Sequence, residues 1–197
     1  MRLILASTSP RRKALLEQLG IPFDIIAPRY QEVLTPHLTA QQQVVTFACG
    51  KARSIGISDA FILGSDTLIA MDHFIFGKPE DVPDARRILT LLQGRTHRVI
   101  TGVVLLIPRG AEEIWHEVTE VRMHEMSADQ IEQYIAGKEP LDKAGAYAIQ
   151  GEGARFIQQV NGNIDNVIGL PLQSVAMALQ RYGFIVSETF CPPLIPP

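Results

Sequence analysis

The chain predicts a mixed α/β fold, and three features of the sequence carry that prediction. Short apolar runs of strand character alternate with segments that open on helix-capping residues and close on glycine. Two long runs, 97–107 and 113–124, flank Pro108-Arg109-Gly110 and read as an antiparallel hairpin, which a purely parallel sheet would not contain. With 46% apolar residues over 197 positions, the chain can bury a core of ordinary size. It holds no internal repeat, low-complexity segment or linker, so 1–197 reads as one compact unit.

In chain order, RLILA (2–6) is a buried strand, after which Ser9 stands as an N-cap with Pro10 at the first helical position of a helix that Gly20 closes. FDIIA (23–27) is a second strand. It leads to a polar loop holding Glu32 and a helix from about Thr39 to Ile55, in which Gly50 is a weak point. AFILGSDTLIAM (60–71) is a strand that turns at Asp72-His73, and the loop at Gly77-Lys78-Pro79 leads to a helix from near Pro83 to Gly94. After the long hairpin, Ser127 and Gln130 form a capping-box pattern for a short helix that Gly137 stops. The loop KEPLDKAGAYAIQG precedes a strand at 154–160 and a last helix near 171–182. FIVSE (184–188) is expected as an edge strand, and the proline-rich end, 188–197, as an irregular tail.

Composition narrows the function. No apolar run approaches the ~20 residues of a membrane helix, and LILA is too short for the apolar region of a signal peptide, so the chain is expected to be cytoplasmic and off the membrane. Cys49 and Cys191 have neither zinc-type nor thioredoxin-type spacing and read as reduced bystanders. A net charge of −3 excludes a long nucleic-acid groove, which needs a surplus of Lys and Arg. Cations nevertheless cluster at Arg11, Arg12 and Lys13, as a site for a small anion requires.

Six stretches place polar residues where a fold alone does not ask for them. In LASTSPRR (5–12), two arginines ride on a first helical turn, whose dipole repels cations; a phosphate bound to the free N–H groups removes that conflict. Glu32 lies in a polar loop and also reads as an ordinary surface acid. In GSDTL, Asp66 and Thr67 interrupt an apolar strand, and a buried Asp costs several kcal/mol unless paired or bound to metal. Glu32 and Asp66 together could hold Mg²⁺ or Mn²⁺ through oxygen. Lys51 in FACGKAR and Lys78 in FGKP each supply an ammonium, although each alone reads as a surface lysine. In DKAGAYAIQG, Gly145 and Gly151 permit close backbone approach, and Gln150 offers a donor and an acceptor suited to a base edge, while Asp142 and Lys143 form an ordinary pair. His97, at a strand start, reads as a structural histidine rather than a catalytic group.

LASTSPRR, the Glu32 loop, FACGKAR, GSDTL, FGKP, LQGRTHRVITGV, EPLDKAGAYAIQG and NVIGLP, in that order, resemble the Maf proteins over about residues 2–182. The resemblance implies two lobes around a central cleft, similar to inosine triphosphate pyrophosphatases, and hydrolysis of a nucleoside triphosphate to monophosphate and pyrophosphate with a divalent cation, Mg²⁺ or Mn²⁺. It implies Ser9, Arg11, Arg12, Lys51 and Lys78 on the phosphates, Glu32 and Asp66 at the metal, Asp66 as proton acceptor, and Arg12, Thr67 and Gln150 choosing the base. Thr67 and DKAGAYAIQG are similar to the branch acting on dTTP and UTP. A homodimer is a family-level expectation. Two alternatives stay open at this point: a nucleotide-binding regulator of cell division with little turnover, and the same chemistry on 7-methyl-GTP, CTP or modified nucleotides.

Overall fold

A computed structural model describes residues 1–187 and 190. Seven strands form one sheet in the order β2-β1-β3-β5-β6-β7, with β4 also paired to β3. β1 (Leu3–Leu5) runs parallel to β2 (Asp24–Ile25) and to β3 (Phe61–Met71). All other pairs, among β3, β4 (Phe74–Phe76), β5 (Thr96–Leu106), β6 (Glu112–Met123) and β7 (Ile157–Asn161), are antiparallel. The sheet is mixed, as the long hairpin requires.

The helices begin where their caps predict. Ser9 caps α1 (Pro10–Glu17), and Pro10 opens it. Thr39 and Gln42 close a capping box on α2 (Ala40–Arg53), and Asp81 caps α3 (Val82–Leu92). Ser127 and Gln130 close a second capping box on α4 (Ala128–Ala136). The chain then passes through a short α5 (Ile164–Ile168) into α6 (Leu172–Arg181).

Two expectations are corrected. The strand placed at 154–160 begins only at Ile157, because Glu152–Phe156 is a 3₁₀ turn. The cause is Glu139, whose carboxylate accepts the N–H groups of Glu152 and Gly153, each at 3.0 Å. FIVSE adds no strand over 184–187. Phe184 packs edge-on to Phe61 at the start of β3, and the Phe184 and Ser187 N–H groups donate to the carbonyls of Leu179 in α6 and Leu19 after α1, so this segment does not pair as a strand. Between β7 and α6 the chain also forms α5, a helix too short for periodicity to reveal, capped by the Asn163 side chain on the Asp165 N–H. The expected irregular tail falls outside the described residues except for Phe190.

Apolar side chains divide the core along the strands. One cluster joins β1, α1, the first half of β3 and α6 through Leu5, Leu16, Leu63, Val103 and Leu179. Another joins the second half of β3 to α3 and α4 through Ile69, Leu89, Val99 and Ile135. These are the two lobes; β3 and β5 run through both, and between them one edge of β3 loses its partner. β5 pairs along one edge of β3 from Ile62 to Ala70. The opposite edge is covered by β1 only at 61–63 and by β4 only at 69–71, which leaves residues 64–68 without a strand partner on that side.

Over one face of β3 and β5 lies α2, close enough that only glycine fits beneath it. A Cβ on Gly64 would stand 2.5 Å from the Ala48 carbonyl, and one on Gly102 would stand 2.7 Å from that of Val44. Gly64→Ala is therefore expected to lift α2, lowering stability by about 1–3 kcal/mol in urea unfolding. An unchanged midpoint would contradict this account of how α2 is seated.

Candidate active site

The gap opens into a cleft of about 400 Å³ lined by every residue expected there: Ser9, Arg11, Arg12, Glu32, Lys51, Asp66, Thr67, Lys78 and Gln150. Asp66 and Thr67 are consecutive in β3, so their side chains point to opposite faces of the sheet. Both reach one cavity because the strand edge between the faces is open.

On the Asp66 face, Lys51 from α2 pairs with Asp66, and its Nζ lies 2.6 Å from Glu32 Oε1. Asp66 is 4% exposed, and its second oxygen, Oδ2, is buried with no hydrogen-bond partner. Burial pushes the Asp66 carboxyl above the usual range, while Lys51 and Arg12 pull it back. Gln43, also buried, holds the Glu32 loop: its Oε1 accepts the Thr35 N–H at 2.9 Å and its Nε2 donates to the Val33 carbonyl at 3.3 Å.

Gly50 proves to be a requirement of this arrangement. α2 runs through it unbroken, and a Cβ there would stand 2.2 Å from the ring of Tyr30, which lines the cleft two residues before Glu32. The glycine admits Tyr30 and leaves Lys51 in place.

On the Thr67 face, Arg12 is pinned. Its Nε donates to the Gly169 carbonyl at 2.8 Å and its Nη2 to Thr67 Oγ1 at 3.3 Å. Burial lowers its pKa, and the nearby Asp66 opposes that shift. Arg11, one residue earlier, points elsewhere, with Nη1 3.9 Å from Asp142. The wall around Thr67 is aliphatic, made by Ile69, Val99, Val167 and Ile168. Gln150 is exposed at the mouth.

Sequence reasoning left Lys143 as half of a surface pair, yet it lines the cleft and pairs with Asp142. Burial raises the Asp142 pKa, but the Lys143 hydrogen bond and the charges of Lys143, Arg11 and Lys78 outweigh it, and the carboxyl lies below its usual range. Lys78 is brought alongside because the Gly145 N–H donates to the Gly77 carbonyl at 2.9 Å. Five cations thus face three carboxylates in the cleft of a chain whose net charge is −3. Such a cavity attracts a compact polyanion.

A family model described as Maf-like protein matches residues 2–182. The chain belongs to the Maf-like family. A relative from Moorella thermoacetica, named dTTP/UTP pyrophosphatase, is 46% identical over 185 residues, covering 92% of this chain and 95% of that protein. One from Bacillus cereus with the same name is 40% identical over 189 residues, covering 95% and 98%. Among solved structures, a HAM1 protein from Coxiella burnetii is similar in fold alone, with a TM-score of 0.51 at 14% identity over 92% of this chain and 99% of that one. The Maf-like match includes each of the cleft residues named above.

His97 lies outside this cleft. It is 2% exposed, its Nε2 is 2.7 Å from the Tyr147 hydroxyl, and burial lowers its pKa to about 4. The native state therefore keeps His97 neutral at pH values where the unfolded chain protonates it near 6.5. Its contribution is full above pH 6.5 and is lost as pH falls toward about 4, a change on the order of 3 kcal/mol. His97→Gln should flatten the pH dependence of urea stability in that window. An equally steep dependence in the variant would assign the acid sensitivity to other groups.

Proposed function

We propose that the chain is a nucleoside triphosphate pyrophosphatase acting on dTTP and UTP, releasing the monophosphate and pyrophosphate. The observation that carries the reading is the convergence of Arg11, Lys51, Lys78 and Lys143 with Asp66 and Glu32 around one cavity. The names of the Moorella and Bacillus relatives support the substrate class. A triphosphate brings roughly four negative charges, which charge-assisted hydrogen bonds of ~1.5–3 kcal/mol each can hold.

Glu32 and Asp66 fit a divalent cation such as Mg²⁺ or Mn²⁺. The buried, partnerless Oδ2 of Asp66 is an oxygen able to ligate a cation, and no group of three or more His, Cys, Asp or Glu suited to a metal occurs among the described residues. Two carboxylates with phosphate and water completing the shell suit Mg²⁺. When bound, the cation supplies charge neutralisation at the phosphate oxygens. That chemistry favours turnover over simple nucleotide binding, because carboxylates beside phosphate only repel it unless a cation intervenes.

Asp66 accepts a proton from water as the water oxygen attacks the α-phosphorus. The bond from the α-phosphorus to the bridging oxygen breaks, and pyrophosphate leaves with its growing charge held by Lys51, Lys78, Lys143 and Arg11. The base lies against the other face of β3, where Thr67 and Gln150 are uncharged hydrogen-bonding groups beside an aliphatic wall.

Incubation with UTP or dTTP and Mg²⁺ should release pyrophosphate, and Asp66→Asn should lower turnover ~10²- to 10⁴-fold. Orthophosphate as the product, or near-normal turnover in that variant, would remove the mechanism. Arg11→Ala should weaken all triphosphates alike, about ten- to a hundredfold, whereas Arg12→Ala, which undoes the contact with Thr67, should alter the ranking of bases. Equal losses on every nucleotide in both variants would deny Arg12 a role in specificity.

A further inference from the structure

Behind Thr67 runs a chain of buried hydrogen bonds whose direction can be worked out proton by proton. The Asn166 amide donates one proton to the Val99 carbonyl at 3.1 Å and the other to Thr119 Oγ1 at 2.9 Å. Turning that amide over would set two oxygens against each other at Val99, so its orientation is determined. Thr119 gives its own proton to the Asn163 carbonyl at 3.0 Å. Thr101, fully buried and directly opposite Thr67 across β3 and β5, donates to the Asn166 carbonyl at 2.8 Å.

A threonine hydroxyl has one proton, and a backbone carbonyl can only accept. In the 3.0 Å contact between Thr67 and Thr101, Thr67 must therefore be the donor. One lone pair of Thr67 receives Arg12 Nη2. What remains on the cleft side is a second lone pair, with no proton behind it.

We propose that Thr101 is a positioning residue that makes Thr67 an acceptor toward the nucleobase, selecting bases that carry a ring N–H at that edge. Uracil and thymine have a proton on N3. Cytosine has a bare lone pair there, which would face the Thr67 lone pair and be repelled. The proton that would relieve this repulsion is held by Thr101. Turning Thr101 to release it would leave the buried Asn166 carbonyl without a donor. The inference rests on the pyrophosphatase reading above, with the base seated against Thr67, and it assigns the discrimination to a residue that touches neither base nor phosphate.

The test compares kcat/KM for UTP, dTTP and CTP in the wild-type chain and in Thr101→Val and Thr101→Ser. Valine keeps the shape of threonine but removes the acceptor for the Thr67 proton, so Thr67 can turn its O–H toward N3 of cytosine. The UTP:CTP ratio should fall about tenfold or more, with CTP gaining, while Thr101→Ser retains the wild-type ratio. A purely structural defect would lower all three substrates together and leave the ratio unchanged, and that result overturns the proposal. Should Thr101→Val not fold, Thr101→Ala, which adds no atoms, carries the same expectation. A wild-type chain with no preference for UTP over CTP would overturn the base-selection reading itself and the proposal with it. A wild-type preference that survives in a folded Val or Ala variant would overturn the relay alone.

Discussion

A carboxylate in the middle of a buried strand must be compensated, and the compensation of Asp66 by Lys51 organises the site. Removing one partner of a buried pair leaves an uncompensated charge at a cost of roughly 3–5 kcal/mol. Lys51 reaches Asp66 only because α2 rests on Gly64 and Gly102, and the same ammonium draws in Glu32, whose loop Gln43 holds from the same helix. A single helix thus delivers a cation, anchors an acid and makes room for Tyr30. Its buried Val44, Phe47 and Ala48 hold it there, a large apolar side chain contributing ~1.5–3 kcal/mol when fully buried.

The alternation of a β-strand then separates two tasks that a nucleotide site must combine. The even position, Asp66, looks toward α2 and an ammonium; the odd position, Thr67, looks toward α1 and α5, where its partners are Arg12 and the Thr101 hydroxyl. Charge chemistry and recognition of a neutral ring occupy different faces of one sheet within one residue of each other. Arg12 spans the divide, since it touches Thr67 while its charge is felt at Asp66.

Features legible in the sequence were those set by local chemistry. Capping at Ser9 and Ser127 and the turn at Asp72 depend on neighbours within a few residues, and the structure has each of them. Asp66 stood out because an acid in an apolar strand has few explanations. Features that depend on distant partners left no such mark. Gly50 read as a flaw until Tyr30 lay beside it, and Lys143 as half of an ordinary pair until the 3₁₀ turns folded it over the cleft; Thr101, inside the run 97–107, bore no sign of the Asn166 carbonyl it meets. The mislaid start of β7 has the same origin, since Glu139 acts on Glu152 from thirteen positions away.

The interruption on the edge of β3 also bears on solubility. Unsatisfied strand edges invite other chains to add themselves and are starting points for aggregation. Here the bare stretch covers only residues 64–68, and β1 and β4 stand at its two ends. An incoming polypeptide would meet one or the other before it could register more than a few residues. The opening admits a small molecule and is too short to template a foreign strand.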